Sequence, residues 1–206
     1  YHFDMRAAGI DPGLAIYVRS NLSDRVGAYV NGVNLLTGTY SFLPKQWIHY
    51  AVCKTGGYLK GYYNGKQDFS ITDTRDYGSS KPISIGRILD ASNHHSDYSI
   101  SDFRIVKGTA VYTAEFTPPT EPLTAITNTK LLVQSTDAGI IDKSQSNKFL
   151  TLSGNAKSST TQSKYLSSSM YFDGSGDNIL TDVMTTGGDF TVEMWIRFDG
   201  SLANPA

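Results

Sequence analysis

Apolar and polar residues alternate with a period of two along most of this chain, and Gly, Asn, Asp and Ser clusters close off each alternating stretch. In the segment 190–198, Phe190, Val192, Met194, Ile196 and Phe198 fall on one face, while Thr191, Glu193 and Arg197 fall on the other. That pattern predicts a strand with one side in a core. Trp195 lies on the polar side, so it either packs beneath side chains of a neighbouring strand or faces solvent. Glu193 reads as a lone carboxylate on the same side. Two Asn-Gly pairs, Asn31-Gly32 and Asn64-Gly65, tolerate the positive φ values of a type I′ turn and predict tight hairpins. Between them, Trp47 to Lys54 and Tyr58 to Tyr63 read as consecutive strands of a meander. Further strands are expected at Leu14 to Val18, Arg25 to Val30, Ile83 to Ile85, Ile100 to Val106, Lys130 to Gln134, Phe149 to Leu152 and Ser169 to Phe172. Helical periodicity is nearly absent, and many short strands at this spacing predict an all-β sandwich or barrel.

The polar run from Ser153 to Ser169 fits either an interdomain linker or a long loop with a short edge strand inside one domain. Tyr165, Leu166 and Met170 interrupt it and favour the second reading.

Composition narrows the function classes. The 206 residues carry 18 Lys and Arg against 19 Asp and Glu, a formal charge of −1, with no basic cluster. Nucleic acid and anionic membrane surfaces are therefore not expected partners. No run approaches the roughly 18 apolar residues of a membrane span, so membrane insertion is not expected. The lone Cys53 rules out an internal disulfide and reads as a small buried residue of the Ala51-Val52-Cys53 strand. The chain opens at Tyr1 without an initiator Met or leader pattern, which suggests a processed product or a slice of something longer.

The segment Ile100-Ser101-Asp102-Phe103-Arg104-Ile105-Val106-Lys107-Gly108-Thr109-Ala110-Val111-Tyr112-Thr113, followed by Phe116-Thr117-Pro118-Pro119-Thr120, resembles concanavalin A-like, laminin-G-like jelly-roll modules. So do Met170-Tyr171-Phe172-Asp173-Gly174-Ser175-Gly176-Asp177, Gly188 to Ile196, and Trp47 to Val52 ahead of the Asn64-Gly65 hairpin. The resemblance implies a two-sheet antiparallel jelly-roll sandwich of the kind found in phage tail-fibre, virion and surface adhesin proteins. Segments that open such a module come last here. The expected organisation is thus one sandwich, 1–206, in permuted order: 1–128 supplies the later strands, and 129–206 the opening strands of the same module or the next one. Joining Ala206 to Tyr1 restores the family order.

Candidate chemistry is sparse. The three glutamates, Glu115, Glu121 and Glu193, lack the spacing of a paired acid and base, so no enzyme activity is expected; a polysaccharide hydrolase remains the least favoured alternative. Asn93, His94, His95, Asp97 and Tyr98 form the densest polar cluster, fitting a loop that contacts sugar hydroxyls or holds a metal through imidazole; a solvated hairpin loop is the favoured reading. His2 and His49 read as structural. Tyr58, Lys60 and Tyr62 share one strand face, expected to be an exposed aromatic and cationic stripe for binding or assembly. Asp173 and Asp177 offer oxygens that suit calcium, known in the wider laminin-G and lectin families; they suit an ordinary Asp-Gly turn as well. No other cofactor is expected. The resemblance implies an extracellular or virion-surface module, structural and adhesive, whose partners are surface glycans, copies of itself or other fibre and virion proteins. A purely architectural capsid-decoration or filament subunit is the alternative.

Overall fold

The computed structural model describes residues 3–6, 13–19, 23–30, 33–77, 82–88, 97–184 and 187–200. Sixteen strands and no helix occur among them. In chain order these are β1 (Phe3–Asp4), β2 (Leu14–Arg19), β3 (Arg25–Val30), β4 (Val33–Ser41), β5 (Ile48–Thr55), β6 (Tyr58–Tyr63), β7 (Lys66–Thr72) and β8 (Ser84–Ile85). The remainder are β9 (Asp97–Lys107), β10 (Thr129–Thr136), β11 (Gly139–Asp142), β12 (Leu150–Ser153), β13 (Lys157–Ser159), β14 (Ser169–Asp173), β15 (Asn178–Thr181) and β16 (Phe190–Phe198).

The strands form two antiparallel sheets packed face to face, the all-β sandwich expected from the alternation and consistent with a jelly roll. The seven-stranded sheet runs β12-β15-β8-β1-β2-β3-β4, and the main path of the nine-stranded sheet runs β11-β10-β9-β16-β5-β6-β7. The nine-stranded sheet is completed by β14, which pairs with β9, and β13, which pairs with β14. The last strand is therefore central: β16 lies between β9 and β5, with Val192 opposite Val52 on one side and Ile105 on the other. The polar run after Ser153 contributes β13 as a short edge strand of the same sheet. No helix long and apolar enough to cross a membrane occurs among the described residues.

One interior joins the two sheets. Phe190, Val192, Met194, Ile196 and Phe198 of β16 meet Ile48, Tyr50 and Val52 of β5, Phe103 and Ile105 of β9, and Phe3, Ile16 and Ile85 of the opposite sheet. These are the alternate positions the pleat turns to one side. The Asn64-Gly65 turn takes φ values of 47° and 78°, as a type I′ hairpin needs. Asn31 and Gly32 lie outside the described residues; Val30 pairs with Val33.

β9 carries the one irregularity that matters for the outer surface. Asp102 has φ 53°, and the pairing with β16 slips there, from Met194 opposite Phe103 to Trp195 opposite Ser101. The extra residue of this bulge lets Ile100 and Phe103 both point inward, while Ser99, Ser101 and Arg104 stay on the outer side.

Candidate functional site

The outer face of the nine-stranded sheet is divided into a covered part and an open part. Residues 108–124, which leave β9 and return to β10 without forming a strand, cross the outer side of β16, β5 and β6 as a strap. Beneath the strap Glu193 is fully buried and its carboxylate is saturated. Oε1 accepts from Arg104 Nε at 2.8 Å and Nη2 at 2.5 Å, and Oε2 accepts from the Tyr112 hydroxyl at 2.8 Å, with His49 Nε2 at 3.2 Å. Burial pushes the Glu193 carboxyl up, but His49 and Arg104 together outweigh it and hold the pKa below the ordinary glutamate value. The expectation of a lone glutamate on a polar face is thus corrected: its partners arrive from β5, β9 and the strap.

The strap is fixed along its length. Val111 N donates to Thr191 Oγ1 at 2.8 Å, Phe116 N to the Gly65 carbonyl at 3.0 Å and Lys60 Nζ to the Thr113 carbonyl at 3.0 Å. At its far end Leu123 N donates to the bulged Asp102, whose other oxygen accepts from Gln134, and Arg104 Nη1 donates to the Thr124 carbonyl at 2.6 Å. Tyr112 and Phe116 stack with centroids 3.6 Å apart and roof Tyr62, Ala51 and Cys53. Gly65 is where only glycine fits, because a Cβ there would lie 1.8 Å from the Phe116 carbonyl oxygen. Cys53 is buried with its thiol 3.3 Å from Thr191 Oγ1, and burial pushes its pKa up to about 11.

This roof overturns the expected exposed stripe on β6. Tyr58, Lys60 and Tyr62 do share the outer face, but only Tyr58 is well exposed; Tyr62 is fully buried and Lys60 is tied to the strap. Alternation assigned the face correctly and could not register a cover drawn from residues 50 positions away. Tyr98 is likewise corrected. It is fully buried among Phe172 and Phe198, because β9 begins at Asp97 and its parity turns Tyr98 inward with Ile100. Asn93, His94, His95 and His2 lie outside the described residues. Asp97 is half-buried at the start of β9, opposite Asp173 of β14.

Asp173 and Asp177 are spent on turn geometry. Asp177 accepts from Asn155 N at 2.5 Å and from Asp173 N at 2.7 Å, while Asp173 accepts from Ser175 N at 2.8 Å and Asn155 Nδ2 at 3.1 Å. No group of three or more His, Cys, Asp or Glu placed to hold a metal occurs among the described residues.

The open part begins where the strap ends. Trp195 marks the boundary, capped by Lys164 with its Nζ 4.2 Å from the ring centroid and by the edge of Tyr165. Beyond it a groove of about 430 Å³ is lined by Lys45, Ser99, Lys157, Ser159, Thr161, Gln162, Tyr171, Arg197 and Asp199. Its floor is a cross-strand row in register: Lys157 opposite Tyr171, Tyr171 opposite Ser99, and Ser99 opposite Arg197. Ser99 Oγ donates to Asp199 Oδ2 at 2.8 Å, and Arg197 pairs with the other oxygen of Asp199. Tyr171, half-buried, offers a ring beside hydroxyl, amide, guanidinium and carboxylate groups, with Lys157 over one edge. Partial burial, then the carboxylate of Asp97, raises the Tyr171 pKa, and the hydroxyl is hydrogen-bonded to Asp97.

None of the groove residues was singled out from the sequence. The signal was present in Met170-Tyr171-Phe172 and Ile196-Arg197-Phe198, where a polar or amphipathic residue sits between two inward ones. What the sequence lacks is the register that aligns them. Comparison of the chain with protein-family models, curated proteins and solved structures returns no match in any of the three.

Proposed function

We propose that this chain is a non-catalytic structural and adhesive module of a virion or cell-surface fibre, and that it holds carbohydrate in the groove over β13, β14, β9 and β16. The observation that carries this reading is the row Lys157–Tyr171–Ser99–Arg197 with Asp199 beside it. A sugar presents hydroxyls that need both donors and acceptors, and a C–H face that lies against an aromatic ring. The groove supplies both kinds of contact on rigid strands, in a volume within the range of small-molecule sites, roughly 300–1,000 Å³.

A binding role is favoured over hydrolysis by the state of the carboxylates. Glu193 is buried and fully paired, Glu115 is exposed and paired with Lys66, and the groove's own Asp199 is engaged by Arg197 and Ser99. General acid and base work needs two carboxyl groups facing across a cleft. The placement in a fibre or virion rests on the resemblance of Ile100 to Thr113 and Met170 to Asp177 to surface-module segments.

The test is a glycan array probed with the wild-type chain and with Tyr171→Ala, each with calcium and with a chelator. Binding to a restricted set of glycans, lost in the variant, supports the reading. No binding above background under any condition would leave only the structural role.

A further inference from the structure

A second cleft, of about 580 Å³, opens at the end of the sandwich where β9 and β10 meet Val183, Met184 and Gly187. It is lined by Lys107, Lys130 and Lys148 together with Gly108, Ser146, Val183, Met184 and Gly187. Three ammonium groups thus share one concave surface, with no carboxylate among the described residues that line it. Lys107 Nζ donates to the Gly187 carbonyl, and Lys148 Nζ donates to the Val183 carbonyl at 3.0 Å. Dipoles of this kind orient an ammonium group without neutralising it. The carboxylates of Asp76, which lies against Gly187 of the lining, and of Asp189 favour the charged form of Lys107, and Lys54 opposes them. Even so, burial is the largest influence on Lys107 and lowers its pKa.

The cleft is also amphipathic. Met184 belongs to the core, Val183 is exposed at the rim, and Lys107 and Met184 border an apolar gap with Ile105, Phe190 and Val192 behind them. Like charges gathered over a low-dielectric floor concentrate the field and attract a counter-ion of opposite sign. The volume exceeds what a bare inorganic anion fills.

We propose that this cleft is a second binding site, independent of the groove, for a small organic oxyanion whose carboxylate, sulfate or phosphate group meets Lys130, Lys148 and Lys107 while its carbon body rests on Val183 and Met184. The anionic group can belong to a free small molecule or to the end of an acidic polymer.

The probes are glucose 6-sulfate, glucose, and sodium sulfate, titrated at constant ionic strength against isotopically labelled protein while amide and methyl shifts are followed. Glucose 6-sulfate is expected to give saturable shifts at Lys130, Lys148, Val183 and Met184, glucose none, and inorganic sulfate weaker binding at the same residues. The double variant Lys130→Ala/Lys148→Ala is expected to weaken glucose 6-sulfate by at least about tenfold, the scale of losing hydrogen bonds to a charged group. Tyr171→Ala is expected to leave it unchanged, so failure of the groove and failure of the cleft are told apart. Equal binding of inorganic sulfate and glucose 6-sulfate would overturn the role of the carbon body. Shifts reproduced by sodium chloride, or undiminished in the double variant, would overturn the site. To separate the two sources, a sulfated oligosaccharide is compared with glucose 6-sulfate; tighter binding of the oligosaccharide assigns the site to polymers, and equal or weaker binding assigns it to free small anions.

Discussion

The same strand, β16, presents its outer side chains to two different surroundings. At Glu193 the strap closes over the sheet, every carboxylate lone pair is claimed, and Tyr112 with Phe116 excludes water. Four residues on, Arg197 lies in an open groove with Ser99, Tyr171 and Asp199. Both regions are polar in sequence and both are hydrogen-bonded. They differ in whether a third layer of chain covers them, and on the proposed reading that decides whether a charged side chain holds the fold together or is left to meet a ligand. A charge buried and paired beneath the strap is costly to disturb; Arg197 and Asp199, with 12% and 18% of their side chains exposed, border the proposed groove.

The largest expected effect therefore falls under the strap. Glu193→Ala leaves the Arg104 guanidinium buried without its carboxylate, and a loss of about 3–5 kcal/mol in urea unfolding is expected. A loss below about 1 kcal/mol, on the scale of a surface pair, would place the network in solvent contact. Phe116→Ala should follow, at about 2 kcal/mol for a half-buried stacked ring, with faster amide exchange at Val111 and Phe116 as the strap loosens.

Acid sensitivity belongs to the covered region as well. His49, Arg104 and Tyr112 face the Glu193 carboxyl, and its folded-state pKa lies below the ordinary value of 4.5. A depressed carboxylate pKa contributes stability that is present above the unfolded-state value and lost as pH falls through the folded-state value. Stability measured from pH 6 downward should decline below about pH 4.5 in the wild type, and the Glu193→Gln variant should show a shallower decline. An identical slope in both would remove Glu193 from the acid response.

In the open region Tyr171→Ala is expected to change stability by less than about 1 kcal/mol and to weaken glycan binding about tenfold or more, since the ring rests on the surface and not in the core. The smallest effect is at Cys53. With its thiol buried and its pKa raised to about 11, it should react with a thiol reagent at pH 8 far more slowly in the native protein than in urea.

Alternation carried the sandwich well. It placed the inward residues of β16 correctly, found β3 and β6 to the residue, and located the Asn64-Gly65 turn, because a pleated strand writes its two faces directly into the order of residues. It could not tell a face turned to water from a face turned to a strap, since Glu193 meets Arg104 and His49 from 89 and 144 residues away. Tyr62 lies under the same strap. Tyr98 differs, since its parity with Ile100, legible in the sequence, turns it inward. The groove row needed the pairing of β13, β14, β9 and β16, a product of long-range register that no local pattern encodes.

The most direct measurement is an amide shift map of the wild-type chain titrated with an oligosaccharide selected from the array. Saturable changes confined to Ser99, Ser159, Tyr171, Arg197 and Asp199, with Glu193 and Tyr112 silent, are expected. Changes scattered over the surface, or centred beneath the strap, would contradict the division of this sheet face into a structural region and a binding region.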